Sequence, residues 1–299
     1  MAGNDDNAYT ALTEDHSGTE DRWAFGTGFT AALSGVDTTF PRDVDRTELA
    51  AYCRMLGDDA LVLAQRLIEW CTDAPELEEE VALANIALDL LGQARLLLAR
   101  AGEAAGEGDD EDTLAYFRDA AEFRNVELVE APGGDFGQSI ARLLVFATWR
   151  LALLRRLVHS RDPVLAAIAA RGVNESYYHR DYAAAWAVRL GDGTEYSHER
   201  MRVGLAAVWP QYPPLFCGHT IETRLAEQGV AVDPGTIRVE VDSALQHVLA
   251  QATVDWPDDG ASGAAAARPL GREGSHSTAL HALVAELQSV ARAHADARW

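Results

Sequence analysis

The chain has 299 residues, of which 48% are hydrophobic, so it is long enough to bury the core of one or two domains. Its 47 acidic and 25 basic residues give a formal net charge of −22, which opposes binding to nucleic acid or to an anionic membrane. There is no uninterrupted run of about 18 apolar residues and no basic, apolar signal region at the N-terminus, so we expect a cytoplasmic protein without a transmembrane helix.

The basic residues are all arginines, with no lysine. This composition indicates a salt-adapted cytosol, where many carboxylates keep a crowded protein soluble, or alternatively arginine-rich codon usage. Cys53 and Cys71 lie on one predicted helix, about 27 Å apart, and Cys217 stands alone. We therefore expect reduced thiols, without a disulfide or a zinc site.

The chain divides by composition near residue 43. Residues 1–43 are acidic, rich in Gly, Ser and Thr, and aperiodic, which predicts a disordered extension. Residues 44–299 form the predicted helical domain, with residues 257–275 as a loop. The predicted helices are 44–72, 75–104, 109–129, 135–160, 163–190, 195–209, 214–228, 234–253 and 276–295.

Helix starts are marked by an acidic residue followed by proline. Asp73-Ala-Pro75 precedes a run of glutamates that the helix dipole stabilises. Asp162-Pro163 and Asp233-Pro234 show the same pattern, an acidic N-cap with proline in the first turn of the helix. Four of the predicted helices are about 25 residues or longer and are joined by short turns. The sequence therefore predicts an all-α fold, a ferritin-like up-down bundle with additional C-terminal helices.

Long four-helix bundles that carry chemistry commonly hold two metal ions, with a Glu from each of two helices and Glu-x-x-His from each of the others. In the second helix that register reads Leu90-Leu-Gly-Gln93, and in the fifth it reads Ser176-Tyr-Tyr-His179. Gln93 is a neutral, poor ligand, and Leu90 and Ser176 are not carboxylates. Glu175 lies one residue out of register. These are degenerate ligand positions.

The fourth helix also argues against a metal site. Between Phe136 and Arg161 there is no Asp or Glu, although a carboxylate from each helix is needed for a di-iron centre. We therefore predict no catalytic, cofactor-binding or metal-binding residue. The basic residues of this segment are Arg142, Arg150, Arg155, Arg156 and Arg161.

A row of polar residues on the second helix points to a buried network instead. Asn85, Asp89 and Gln93 recur every four residues in an otherwise apolar segment, and a buried Asp89 needs a donor. We expect that donor to be an arginine of the fourth helix, Arg142 first, or His179. The predicted network is Asn85, Asp89, Gln93, Arg142, Glu175 and His179.

Ordinary structural roles are the competing interpretations. Asp89 could instead reach solvent at the helix edge, and His179 alone is more often a hydrogen-bonded core histidine than a ligand. The acids of the first helix, Asp58, Asp59 and Glu69, are expected to be solvated or ion-paired. No GxGxxG, P-loop or GxSxG motif is present, which leaves no signal for nucleotide binding or for serine hydrolase chemistry.

Several segments resemble the phenylacetic acid catabolic protein family, and within it the C-type subunits of multicomponent phenylacetyl-CoA epoxidases. The resemblance covers residues 45–299, and "LDLLGQAR" and "RLGDGT" are its most specific parts. The first 44 residues have no counterpart. The matching segments are YCRMLGDDALVLAQRLIEW (52–70), APELEEEVALANIALDLLGQAR (74–95), GDDEDTLAYFRD (108–119), FRNVELVEAPGGDF (123–136), YYHRDYAAAWAVRLGDGTEYS (177–197) and GREGSHSTALHALVAELQ (271–288).

The resemblance implies a role in a monooxygenase complex. In that family a ferritin-like, A-type subunit holds the di-iron centre, and the C-type subunit pairs with it and supports it without catalysing the reaction. A small B-type subunit is also present, with a reductase that holds flavin and an iron–sulfur cluster. The system uses O2 and NADPH to epoxidise the ring of phenylacetyl-CoA. Gln93 and Ser176 depart from the ligand pattern as expected of the C-type subunits.

Two functions therefore remain at this stage. The first is a non-catalytic scaffold subunit with no cofactor of its own. The second is a self-sufficient ferritin-like oxidase with an atypical metal site built from Glu69, Asp89, Glu175 and His179. The acid-free fourth helix favours the scaffold.

Overall fold

Four long helices form the body of the chain, as the sequence predicts. In the computed structural model residues 33–257 and 270–297 are described, and these residues include no β-strand. The long helices are α1 Arg46–Ile68, α2 Leu77–Ala105, α4 Phe136–Leu157 and α5 Pro163–Gly191. The shorter α-helices are α3 Glu111–Tyr116, α6 Glu195–Val208, α7 Thr220–Glu227, α8 Arg238–Gln251 and α9 Thr278–Ala293.

The long helices pack as two hairpins. Helix α1 lies along α2, α4 lies along α5, and α2 contacts α5, so the two hairpins close one core. Helix α6 covers the other side of α4. Helix α4 is therefore buried around most of its circumference. An arginine near the middle of α4 therefore has little access to water.

Side-chain caps fix the starts of the long helices. Asp45, Asp135 and Asp162 each accept a hydrogen bond from a backbone N–H of the first turn of the helix that follows. The predicted start at Asp162-Pro163 is confirmed. Helix α2 begins later than predicted, at Leu77, where Glu76 makes no side-chain cap and three glutamates occupy the first turn.

The predicted helix 109–129 is wrong. Only Glu111–Tyr116 is α-helical, and two 3-10 turns follow, Ala120–Glu122 and Glu127–Val129. The reason is tertiary: the backbone N–H of Arg124 donates to Asp58, 2.8 Å, and that of Val126 donates to Asp59, 2.8 Å. Two buried carboxylates of α1 therefore accept hydrogen bonds from backbone N–H groups that a continuous helix would use for its own hydrogen bonds.

Other segments differ at their ends. The predicted helix 214–228 begins only at Thr220, and the segment after Asp233 opens with a 3-10 turn, Pro234–Ile237, before α8. The predicted loop 257–275 lies partly outside the described residues, but its end forms a 3-10 turn, Leu270–Glu273. Most of the predicted extension, residues 1–43, also lies outside them.

Helix α2 is apolar enough to be noted separately. By length and composition alone it could cross a membrane, but half of its most apolar window is buried inside the bundle. Core helices of ordinary globular proteins pass the same test. The three cysteines are free thiols, as the sequence predicts.

Candidate functional site at the centre of the bundle

The guanidinium of Arg150 lies at the centre of the four long helices. It extends from α4, is 1% exposed, and its Nη2 donates to Oε1 of Gln93 on α2, 3.2 Å. Its Nη1 lies 4.0 Å from Oδ2 of Asp59 on α1. Burial lowers the pKa of Arg150 from its ordinary value, and the carboxylate of Asp59 acts in the opposite direction. The group remains a cation at neutral pH.

The amide of Gln93 links this cation to an anion on the fifth helix. While Oε1 accepts from Arg150, Nε2 donates to Oε2 of Glu175, 3.0 Å. Glu175 is also paired with Arg171, whose Nε lies 2.9 Å from Oε1. Both ends of the Gln93 amide are therefore used, and its orientation is fixed by the charges on either side.

Asp89 and His179 form the outer part of the same polar region. Nε2 of His179 lies 3.0 Å from Oδ2 of Asp89. The side chain of His179 is 2% exposed, whereas that of Asp89 is 39% exposed. The expected contact with His179 is present, and Asp89 also reaches solvent at the helix edge, which was the alternative interpretation.

Two residues of the predicted network lie elsewhere. Asn85 is exposed, because each step of four residues turns about 40° around an α-helix and places Asn85 about 80° from the buried Gln93. Arg142 lies about two turns from Arg150, where it donates to the carbonyls of Ala131 and Pro132. Burial lowers the pKa of Arg142 to about 10.

The acids of α1 are ion-paired. Asp58 accepts from Nη1 of Arg118, 3.0 Å, and from Nη2 of the same guanidinium, 2.5 Å. Asp59 accepts two bonds from Arg272, 2.9 and 2.8 Å. Both carboxylates are fully buried and ion-paired, which is one of the ordinary roles expected for them.

The remaining predicted positions offer little for ligand binding. Glu69 is 41% exposed and pairs with Arg66, 2.6 Å. Leu90 and Ser176 are both buried, 1% exposed, and the Ser176 hydroxyl has no hydrogen-bond partner among the described residues.

Sequence reasoning missed Arg272, which comes from the 3-10 turn before α9. Its guanidinium is 3% exposed and also donates to the carbonyls of Met55 and Arg124. Glu222 of α7 lies 3.8 Å from its Nε. No local pattern marks Arg272, because its partners are distant in sequence and the turn that carries it lies within the predicted loop 257–275.

These residues do not fit a di-iron centre. Such a centre takes carboxylates from four helices, but α4 contributes a cation, α2 contributes an amide, and the acids of α1 already accept bonds from arginines. Within the described part of the chain, three clustered acidic or histidine ligands occur only at Glu76, Glu78 and Glu79, on the surface. The centre of the bundle is a polar network around Arg150, in which Nη2 is hydrogen-bonded to Gln93 and Nη1 is buried without a hydrogen-bond partner among the described residues.

Comparison with known proteins gives two matches. Residues 35–299 match the family described as phenylacetic acid catabolic protein. The chain is also similar to the C-type subunit of the 1,2-phenylacetyl-CoA epoxidase of Escherichia coli (strain K12), with 44% identity over 252 residues. That alignment covers 84% of this chain and 99% of the relative. Both matches extend over the helices that surround Arg150.

Proposed function

We propose that this chain, which belongs to the phenylacetic acid catabolic protein family, serves phenylacetate catabolism as a structural, non-catalytic subunit of a phenylacetyl-CoA epoxidase. It pairs with the A-type catalytic subunit, which holds the di-iron centre. The assembly also contains a small B-type subunit, together with a reductase that holds flavin and an iron–sulfur cluster, and it uses O2 and NADPH. The chain itself carries no cofactor, and the assembly works in the cytoplasm.

The observation that carries the proposal is the buried guanidinium of Arg150. A fixed positive charge at the centre of the bundle repels any metal ion placed beside it, because buried charges are poorly screened. The neighbouring amide of Gln93 is a neutral group in a position where a metal centre needs a carboxylate. A bundle with this centre supports a partner rather than activating oxygen.

The charge pairs give the chain what such a support needs. Asp58–Arg118 ties the segment after α3 to α1, and Asp59–Arg272 ties the turn before α9 to α1. Breaking a buried pair by removing one partner typically costs about 3–5 kcal/mol. These pairs therefore hold the segments around the bundle in one arrangement, and a fixed arrangement lowers the cost of presenting a surface to a partner.

The alternative, an oxidase with an atypical metal site, requires Glu69, Asp89, Glu175 and His179 to converge. All four are described residues, and no three of their ligand atoms lie within 4.8 Å of one another. Glu69 is bound to Arg66, and Glu175 is bound to Gln93 and Arg171. The described geometry therefore does not support that site.

The test is to purify this chain, the A-type catalytic subunit, and the two together from co-expression. Iron content is measured on each, and epoxidase activity is measured after adding the reductase and the small B-type subunit. We expect the chain alone to be iron-poor and prone to non-specific aggregation, because an apolar surface meant for a partner is left uncovered. Together, the two proteins should elute as a defined hetero-oligomer that holds iron and is active.

Two results would contradict the proposal. The first is about two irons per chain in the isolated protein, the content of a di-iron site. The second is an A-type catalytic subunit that is equally stable and equally active without this chain.

A further inference from the structure

The outward side of α2 is apolar where a surface helix would ordinarily be charged. Leu77, Val81 and Leu88 are 69%, 53% and 58% exposed. They recur at i, i+4 and i+11, which places them on one side of the helix. On the same side of the helix, Asn85 lies between Val81 and Leu88, and Gly92 lies one turn after Leu88. The space outside Gly92 is open, since a Cβ added there would meet nothing within 4 Å. We name these five residues the α2 stripe.

Two charged residues beside the α2 stripe, Asp89 and Arg95, are already paired within the chain. Asp89 is hydrogen-bonded to His179, and Arg95 is bound to Glu111, 3.0 Å. Half of the most apolar window of α2 remains outside the bundle's core. Exposed apolar side chains grouped on one side of a helix and rimmed by polar groups are typical of an interaction site.

The charge at one end of the α2 stripe indicates what covers it. Glu76 is the N-cap of α2, and Glu78, Glu79 and Glu80 lie in its first turn. At 100° per residue, Glu78 and Glu80 project on either side of Leu77 and Val81. These glutamates, on a chain of net charge −22, oppose an anionic membrane and a second copy of the same chain. They complement a partner helix that carries arginine or lysine beside an apolar stripe of its own.

We propose that the α2 stripe is the docking surface for the catalytic partner of this chain. The contact is a helix of that partner whose apolar side covers Leu77, Val81 and Leu88 and whose basic residues face Glu78 and Glu80. Asn85 and Gly92 lie in the contact, where small or polar side chains allow a close approach of the two helices. This inference rests on the proposed function, because it assigns the surface through which the proposed pairing occurs.

The experiment is co-expression of the full chain with the tagged catalytic partner, with retention of the chain measured by size exclusion after capture. The disrupting variant is Val81→Asp/Leu88→Asp. The matched control is Val203→Asp/Val239→Asp, on α6 and α8, where the two valines are 48% and 81% exposed. A second variant, Glu78→Arg/Glu80→Arg, reverses the charge beside the stripe. Because it also removes two acids from the first turn of α2, its folding is checked by circular dichroism.

We expect the catalytic partner to retain the wild-type chain and the control variant equally well. The Val81→Asp/Leu88→Asp and Glu78→Arg/Glu80→Arg variants should each associate ~10-fold more weakly or worse, as is typical of changes at the centre of an interface. Failure of the wild type to bind would overturn the proposed function and the inference with it. Equal retention of all four chains would overturn the inference alone, and so would equal loss of the control variant.

Two further outcomes would assign the α2 stripe to another occupant and overturn the proposal. One is a homo-oligomer of the isolated chain that Val81→Asp/Leu88→Asp dissociates while the complex with the catalytic partner persists. The other is flotation of the chain with phosphatidylcholine vesicles that the same variant abolishes while binding to the catalytic partner persists.

Discussion

Arg150 and Gln93 meet at the centre of the bundle, with Nη2 of the guanidinium 3.2 Å from the amide Oε1. Each residue satisfies a group on the other that would otherwise be buried without a partner. The pair also joins α2 to α4, which belong to different hairpins. Its consequence for stability can be measured by changing one residue and then both.

We expect Arg150→Met to destabilise the chain by about 1–3 kcal/mol, because Oε1 of Gln93 is left buried without a donor. Adding Gln93→Leu should recover much of the loss, since neither polar group then remains, and Glu175 keeps its pair with Arg171. Denaturant unfolding of the wild type, both single variants and the double variant completes the cycle. Equal and additive losses from the two changes would show that the contact contributes no coupling.

Asp89 gives a weaker pair than its sequence context suggests. Its side chain is 39% exposed and its partner is a histidine, so Asp89→Leu should cost only about 1 kcal/mol or less. Asp89→Asn keeps a group that can hydrogen-bond to His179 and should be close to wild type. Thermal unfolding checks both. A loss of 3–5 kcal/mol, typical of a fully buried ion pair, would show that Asp89 is less accessible in solution.

No chemistry is assigned to the Asp89–His179 pair. The reconstituted epoxidase should therefore keep its activity when the chain carries Asp89→Asn or His179→Gln, provided that the complex forms. A large fall in turnover with an intact complex would contradict the proposed non-catalytic role.

The long helices could be predicted from sequence because local signals determine them. The absence of acids from α4 could also be read directly from the sequence, since it holds whatever the exact packing. The sequence did not predict which arginine lies at the centre of the bundle, because Arg142 and Arg150 are on the same apolar helix. Their roles differ because carbonyls of the loop 130–134 bind Arg142, and a single sequence does not show where that loop lies.

The segment after α3 shows the opposite limit. Its residues favour a helix, but Asp58 and Asp59 of α1 bind its backbone N–H groups and hold it open. The predicted inward position of Asn85 was wrong for a geometric reason. Residues spaced by four drift around an α-helix with each step, so a row that is buried at Gln93 is exposed at Asn85. Contacts between distant segments decided both cases, and a single sequence carries no direct record of them.

The Asp59–Arg272 pair should be among the most costly to break. Asp59→Leu leaves Arg272 buried without its carboxylate and removes the acceptor for the backbone N–H of Val126. We expect a loss of about 3–5 kcal/mol. Glu69→Leu is the matched control, because Glu69 is 41% exposed beside Arg66 and its loss should cost about 1 kcal/mol or less. Similar unfolding midpoints for the two variants would contradict this ranking.

Glu222 makes stability depend on pH. Burial raises the pKa of its carboxyl above the ordinary value of 4.5, although Arg272 and the backbone N–H of His219 act in the opposite direction. Asp59 and Asp233 are the other charged groups that act on it, and both raise the pKa further. Ionisation of Glu222 is therefore harder in the folded chain than in the unfolded chain.

Because the folded pKa is the higher one, the contribution of Glu222 to stability is fully present below pH about 4.5 and is lost as the pH rises through the folded pKa. Glu222→Gln keeps an oxygen for the His219 N–H, 2.9 Å, without a titrating charge. The stability of this variant relative to the wild type should therefore increase from pH 4 to pH 8, which thermal unfolding across that range measures. A difference that stays constant with pH would show that Arg272 balances burial at this carboxyl, and one that shrinks as the pH rises would show that Arg272 outweighs it.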